Sequence, residues 1–295
     1  MTNRLKGVGV ALITPFNTDG SIDYNALSNL IDFQIDNGTD YIVALGTTGE
    51  PATMSAQEKN ELLDFIIKKI NKRVPLVVGC GGNNTADVLK MMQEFEKVDG
   101  IDAFLSVAPF YNKPNQNGVY QHFKTLANGT SKPILLYNVP GRTGINISVD
   151  VVIRLANECK NIIGIKEASG NVAQGMAIAA RRPKDFLIIS GDDALTLPLI
   201  ACGFDGVISV LQNVYPAAFS KAVHLALDGK FEESKAIHYQ YLDIIDTLFA
   251  EGSPSGAKAY LTQMGMIKNE VRLPLAPVSD SLFEKINSLR AKINC

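Results

Sequence analysis

Histidine is scarce in this chain and scattered. The three residues, at 122, 224 and 238, form no H-x-H or H-E-x-x-H pattern, which argues against a histidine-based zinc site. The four cysteines at 80, 159, 202 and 295 have no C-x-x-C spacing and lie in or beside apolar stretches, so reduced thiols are expected and no disulfide framework. An excess of either charge is also missing. With 28 basic and 30 acidic residues the formal charge is -2, which leaves no cationic face for nucleic acid or an anionic membrane. No apolar run approaches the ~20 residues of a membrane span, and residues 1–20 hold no apolar signal region. A soluble, cytoplasmic protein with a small-molecule partner is the expectation.

What is present is a large apolar complement: 46% of 295 residues, enough for one big core with a modest appendage. Short β-branched runs recur. They end at Pro15, Gly46, Cys80, Pro109, Val139, Ala168, Asp192 and Val210. Each is nearly continuous in apolar character, as parallel strands covered on both faces should be. Helical spacing fills the intervals. Ser55-x-x-Glu58 reads as a capping box ahead of Leu62, Leu63, Ile66 and Ile67, and Thr85 is read as a cap ahead of Val88, Leu89 and Met92. Eight strand-then-helix units predict an α/β fold, a (β/α)8 TIM barrel over residues 1–225, with an open doubly wound sheet as the competitor. Helical patterns at 216–228, 231–250, 254–266 and 280–293, punctuated by Gly229, Gly252 and Pro254, predict a C-terminal helical region over 226–295.

In a (β/α)8 barrel the active site lies at the carboxyl ends of the strands, so unusual residues there are the candidates. Lys166 stands out because it follows Ile162, Ile163 and Ile165, where an ammonium is costly and a neutral, nucleophilic amine is favoured. Such an amine attacks a 2-oxo acid to give an imine that stabilises an enamine at the next carbon. A strand-end lysine can instead snorkel to solvent. Tyr137 ends the preceding strand at equal depth and offers a hydroxyl for proton transfer, or simply a core tyrosine. Thr47 and Thr48, before Gly49, offer hydroxyls and N–H groups to a carboxylate, or cap their own loop. Arg142, in a Pro/Gly-rich loop, is suited to clamp a second carboxylate, although most arginines are merely exposed. Asp192 and Asp193 precede ALTLP and read as helix N-terminal acids rather than metal ligands. The G-x-G at Gly79–Gly81 is a weak dinucleotide signal, because Asn84 stands where a third glycine is needed.

Together these marks carry a resemblance over essentially the whole chain. They are ITPF at 13–16, GTTGE at 46–50, PFYNKP at 109–114, YNVPGRTG at 137–144, GIKEASGN at 164–171, SGDD at 190–193 and GVISV at 206–210. The sequence resembles the dihydrodipicolinate synthase and N-acetylneuraminate lyase family. That resemblance implies a Schiff-base lysine at Lys166 for pyruvate, and a proton relay of Tyr137, Thr47 and Tyr111, with Tyr111 reaching in from a neighbouring subunit. It implies a pyruvate-carboxylate contact at Thr48, a clamp on the carboxylate of L-aspartate 4-semialdehyde at Arg142, and backbone near the substrates at Gly191 and Ile208. The implied reaction condenses the two substrates to 4-hydroxy-tetrahydrodipicolinate in the diaminopimelate route to lysine, in a homotetramer built from dimers. No metal or organic cofactor is implied.

Two alternatives remain at this level. One keeps the imine but changes the aldehyde, as in an N-acetylneuraminate lyase or a 2-keto-3-deoxy sugar-acid aldolase; NVPGRTG speaks against it, since sialic acid lyases generally lack the arginine. The other is a catalytically silent carboxylate-binding barrel, which would have no use for a nucleophile. The chain also departs from lysine-inhibited family members, whose interface site carries a tyrosine, histidines and an acid where this sequence has Phe110, Ala56, Lys59 and Asp87, with Asn83 retained. Weak inhibition by lysine is the corresponding expectation.

Overall fold

The computed structural model describes residues 2–293. Cys295 lies outside them; Cys80, Cys159 and Cys202 are free thiols. Eight strands close into one parallel barrel in chain order: β1 (Gly7–Ala11), β2 (Tyr41–Ala44), β3 (Leu76–Gly79), β4 (Ala103–Val107), β5 (Ile134–Asn138), β6 (Ile162–Glu167), β7 (Leu187–Ser190) and β8 (Gly206–Ser209). Closure decides against the open sheet. Strand β8 pairs back on β1 with Gly7 opposite Gly206 and Gly9 opposite Ile208. Glycine is required at 206, because its φ is 147° and a Cβ there would meet the Gly7 carbonyl oxygen at 1.9 Å.

Helices follow the strands: α1 (Tyr24–Asp36), α2 (Ala56–Ile70), α3 (Thr85–Glu96), α4 (Gln116–Gly129), the short α5 (Pro140–Thr143), α6 (Val149–Glu158), α7 (Val172–Arg181), α8 (Thr196–Ala201) and α9 (Pro216–Leu227). Side chains set several of their starts. Ser55 and Glu58 form the reciprocal capping box, and Asn115, Ser148 and Asn171 cap α4, α6 and α7. At α3 the cap is Asn84, whose side chain accepts from Ala86 N, one residue before the expected Thr85. Beyond the barrel lie α10 (Phe231–His238), α11 (Leu242–Phe249), α12 (Ser255–Gln263) and α13 (Asp280–Ile293). The stretch read as one helix over 231–250 is divided by a 3-10 turn at Tyr239–Tyr241.

Apolar side chains form three layers. Leu105, Leu135, Tyr137, Ile189 and Ile208 help fill the barrel interior. A second cluster packs strands against the surrounding helices, and a third joins α9 and the C-terminal helices to Val8, Ile13 and Val207. The last of these places the C-terminal helices on the β8–β1 side. Among the described residues no helix is long and apolar enough to cross a membrane.

Candidate active site

A cavity of about 1010 Å³ opens at the carboxyl ends of the strands. Its wall includes Thr47, Thr48, Tyr137, Arg142, Lys166 and Gly191. Candidates as far apart in the chain as Thr47 and Gly191, 144 positions, thus meet because parallel strands deliver every strand-end loop to one face.

Lys166 and Tyr137 are paired across β5 and β6, with Ile189 on the other side of Lys166. Both are 7% exposed, and Lys166 Nζ lies 4.5 Å from the centroid of the Tyr137 ring. Among the described residues no ion pair includes Lys166. Strand alternation points the next residues the other way, into a buried polar network. Asn138 Nδ2 donates to Glu167 Oε2 at 2.9 Å and to Asn146 Oδ1 at 2.7 Å, while Asn138 Oδ1 accepts from Ile147 N. Glu167 also accepts from Ser169 N at 2.7 Å and Gln174 Nε2 at 3.0 Å. The ends of β5 and β6 are therefore tied directly behind the lysine and tyrosine. Neither Asn138 nor Glu167 was assigned a role from the sequence, since the pattern shows a polar residue at a strand end but not its partner.

Thr47, Thr48 and Gly49 form a 3-10 turn after β2, closed by Gly49 N donating to Gly46 O at 2.9 Å. Thr48 is buried and Thr47 exposed. Thr14 Oγ1 donates to Gly49 O at 2.9 Å and fixes the turn against the end of β1. Arg142 is exposed on α5, which starts with Pro140 in its first turn. The backbone of the Arg142 loop meets that of Tyr111, whose N–H donates to Thr143 O at 3.4 Å.

Two candidate residues lie outside this wall, one of them, Tyr111, implied by the resemblance to serve a neighbouring subunit. Ile208 is buried within the barrel interior below the wall. Tyr111 is 87% exposed and adopts a left-handed φ of 72°, an unusual conformation for a bulky residue. Asp193 departs from its reading as a helix N-terminal acid. Asp192 accepts from Leu195 N at the entrance to α8, but Asp193 turns away from that helix and Oδ2 accepts from Val210 N at 3.1 Å and Leu211 N at 2.9 Å. It joins the ends of β7 and β8, and burial raises its carboxyl above the ordinary aspartate range.

The histidines lie elsewhere. His122 bonds Thr85, His224 bonds Asp40, and His238 lies 3.0 Å from Ala194 O. Among the described residues no three His, Cys, Asp or Glu side chains come together in a way that could hold a metal ion.

Fold and cavity thus define the class: a (β/α)8 barrel with a buried lysine beside a tyrosine at its strand ends. The chain belongs to the dihydrodipicolinate synthetase family, whose model matches residues 4–292. It is 47% identical over 291 residues to the 4-hydroxy-tetrahydrodipicolinate synthase of Parabacteroides distasonis, covering 99% of this chain and 98% of that protein. It is 49% identical over 282 residues to the enzyme of the same name from Azobacteroides pseudotrichonymphae, covering 96% and 95%. The crystal structure of dihydrodipicolinate synthase from Aquifex aeolicus superposes with a TM-score of 0.95 at 42% identity, covering 98% of each chain.

Proposed function

We propose that this chain is a lyase of lysine and diaminopimelate biosynthesis that condenses pyruvate with L-aspartate 4-semialdehyde to 4-hydroxy-tetrahydrodipicolinate and water. The observation that carries the reading is the buried Lys166 amine against Tyr137, in one cavity with Thr47, Thr48 and Arg142. Family membership supports the choice of reaction.

In this reading the Lys166 amine attacks C2 of pyruvate, and the carbinolamine loses water to give an iminium. The nucleophile in this step is the amine in its unprotonated form. Loss of a C3 proton gives an enamine, the iminium nitrogen serving as electron sink. The enamine carbon attacks the aldehyde, whose oxygen takes up a proton. The amino group of the second substrate then displaces Lys166 from C2, closing the ring and freeing the lysine. Water leaves once, at imine formation.

Tyr137 and Thr47 move protons in this scheme, with Tyr111 supplied by a second copy of the chain. The exposure of Tyr111 on its own chain supports that assignment. Thr48 receives the pyruvate carboxylate and Arg142 the carboxylate of the aldehyde substrate. Gly191 and Ile208 contribute backbone near the bound substrates. The active unit is then a dimer, with a tetramer as the full assembly, and the free thiols fit a cytoplasmic enzyme. Catalysis resides in residues 1–225, with 226–295 as its helical appendage.

Comparing turnover of pyruvate plus aspartate semialdehyde with cleavage of N-acetylneuraminate and 2-keto-3-deoxy sugar acids tests the reading. Turnover confined to the first pair is expected. Preferential cleavage of a sugar acid, or no turnover of any, would overturn it.

A further inference from the structure

The turn that carries Thr47 and Thr48 ends at Glu50, a buried carboxylate with left-handed backbone (φ 56°, ψ 39°). Side chains disfavour that conformation, so something must hold it. The holding groups come from the opposite end of the chain. Lys258, on α12, has no exposed side-chain surface and brings Nζ to 2.6 Å from Glu50 Oε1. The approach lies outside hydrogen-bond geometry, so the contact is an ion pair. Lys258 Nζ also donates to Glu270 O at 2.8 Å, while Glu50 Oε2 accepts from Arg272 N at 3.0 Å.

The Arg272 guanidinium extends the hold. It donates to Gly20 O at 2.7 Å, to Thr53 O at 3.0 Å and to Glu58, the acid that closes the capping box of α2. Both cations lie over the Phe16 ring, Lys258 Nζ 4.1 Å and Arg272 Cζ 4.3 Å from its centroid. Burial pulls the Lys258 ammonium down to about 8, against the Glu50 charge that raises it. A buried ion pair adds little net stability, because desolvation offsets the attraction, and its better-attested use is to fix geometry. Here the geometry fixed is that of the threonine turn.

We infer that Glu50, Lys258 and Arg272 are positioning residues for Thr47 and Thr48, so that the C-terminal helical region builds part of the active site without touching substrate. The inference rests on the proposed imine chemistry at Lys166, with the pyruvate carboxylate on Thr48. It separates the substrates, since Arg142 stands on a different loop.

The test is a pyruvate titration of borohydride trapping at Lys166, with KM for aspartate semialdehyde and Tm measured alongside. Lys258→Met and Glu50→Gln are expected to raise half-saturating pyruvate by about tenfold, with KM for the aldehyde held within about twofold. Arg272→Lys, which keeps the charge, should move pyruvate the same way by less. The double variant Glu50→Gln/Lys258→Met should recover part of the loss, as it leaves no unpaired buried charge. Thr247→Val breaks a buried 2.8 Å bond to Tyr260 in the same helical region, and should lower Tm without moving half-saturating pyruvate. Half-saturating pyruvate unchanged in Glu50→Gln and Arg272→Lys overturns the inference even if Lys258→Met does not fold. So does an equal rise for both substrates that Thr247→Val reproduces. Wild-type protein that cannot be trapped at all overturns the imine reading instead.

Discussion

Replacing Gly191 by alanine tests how tightly the lysine is seated. An added Cβ would stand 2.6 Å from Ala168 Cβ, 2.8 Å from Lys166 Cε and 3.1 Å from Lys166 Cγ. Carbon atoms prefer about 3.5–4.0 Å, so one neighbour must move by roughly 1 Å. Ala168 is fixed by its backbone, whose N–H donates to Asn138 O at 2.8 Å, so its contact is relieved only by a shift of the backbone at 191, and the lysine side chain is displaced with it. Overpacking of this kind costs about 1–3 kcal/mol in stability, and a reacting atom misplaced by ~1 Å costs on the order of 100-fold in rate. Gly191→Ala should therefore slow borohydride trapping of pyruvate by about two orders of magnitude while the fold survives with a Tm lower by several degrees, roughly. Trapping within about threefold of wild type would show that the lysine has slack the contacts do not suggest.

The remaining predictions are more local. Arg142→Ala should lower kcat/KM for aspartate semialdehyde by roughly 100-fold, as expected for loss of a charge-assisted pair, and leave pyruvate trapping intact; equal damage to both would contradict its assignment. Burial depresses His122 to about 4 in the folded protein, against an ordinary value of 6.5, so the folded state resists its protonation. The stabilisation is complete above about pH 6.5 and is lost as pH falls toward 4, amounting to about 3 kcal/mol, and His122→Asn should flatten that part of the stability curve. An unchanged acid limb in chemical denaturation would refute this. Lysine should inhibit weakly, because Lys59 brings a cation, and Phe110 no hydroxyl, to the cavity wall. At ~5 Å and an effective dielectric near 20, two like charges repel by about 3 kcal/mol before screening. Half-inhibition well below millimolar would refute it, and Lys59→His with Phe110→Tyr should strengthen inhibition.

The strands were legible because parallel strands buried on both faces must be apolar throughout, and each run ends near the cavity. Lys166 was legible for the same reason: a charge after three isoleucines is out of place unless used. The capping box at Ser55 is a local pattern and appears as read. Closure is not local, because it depends on Gly7 meeting Gly206 across 199 positions. Asp193 shows a similar limit, since a carboxylate ahead of a helix resembles a cap until its acceptors are seen to serve Val210 and Leu211. The Glu50–Lys258 pair joins residues 208 positions apart, and neither has a spacing that names the other. At Tyr239–Tyr241 the helical period continues while the hydrogen bonding tightens to 3-10, a change that apolar periodicity does not register.

The central claim is a covalent bond between Lys166 and pyruvate, and the most direct measurement is peptide mass spectrometry after borohydride reduction in the presence of pyruvate. One reduced adduct per chain, on the peptide containing Lys166 and absent in Lys166→Ala, is the predicted result. An adduct on a different lysine, or none in protein that turns over both substrates, would contradict the account.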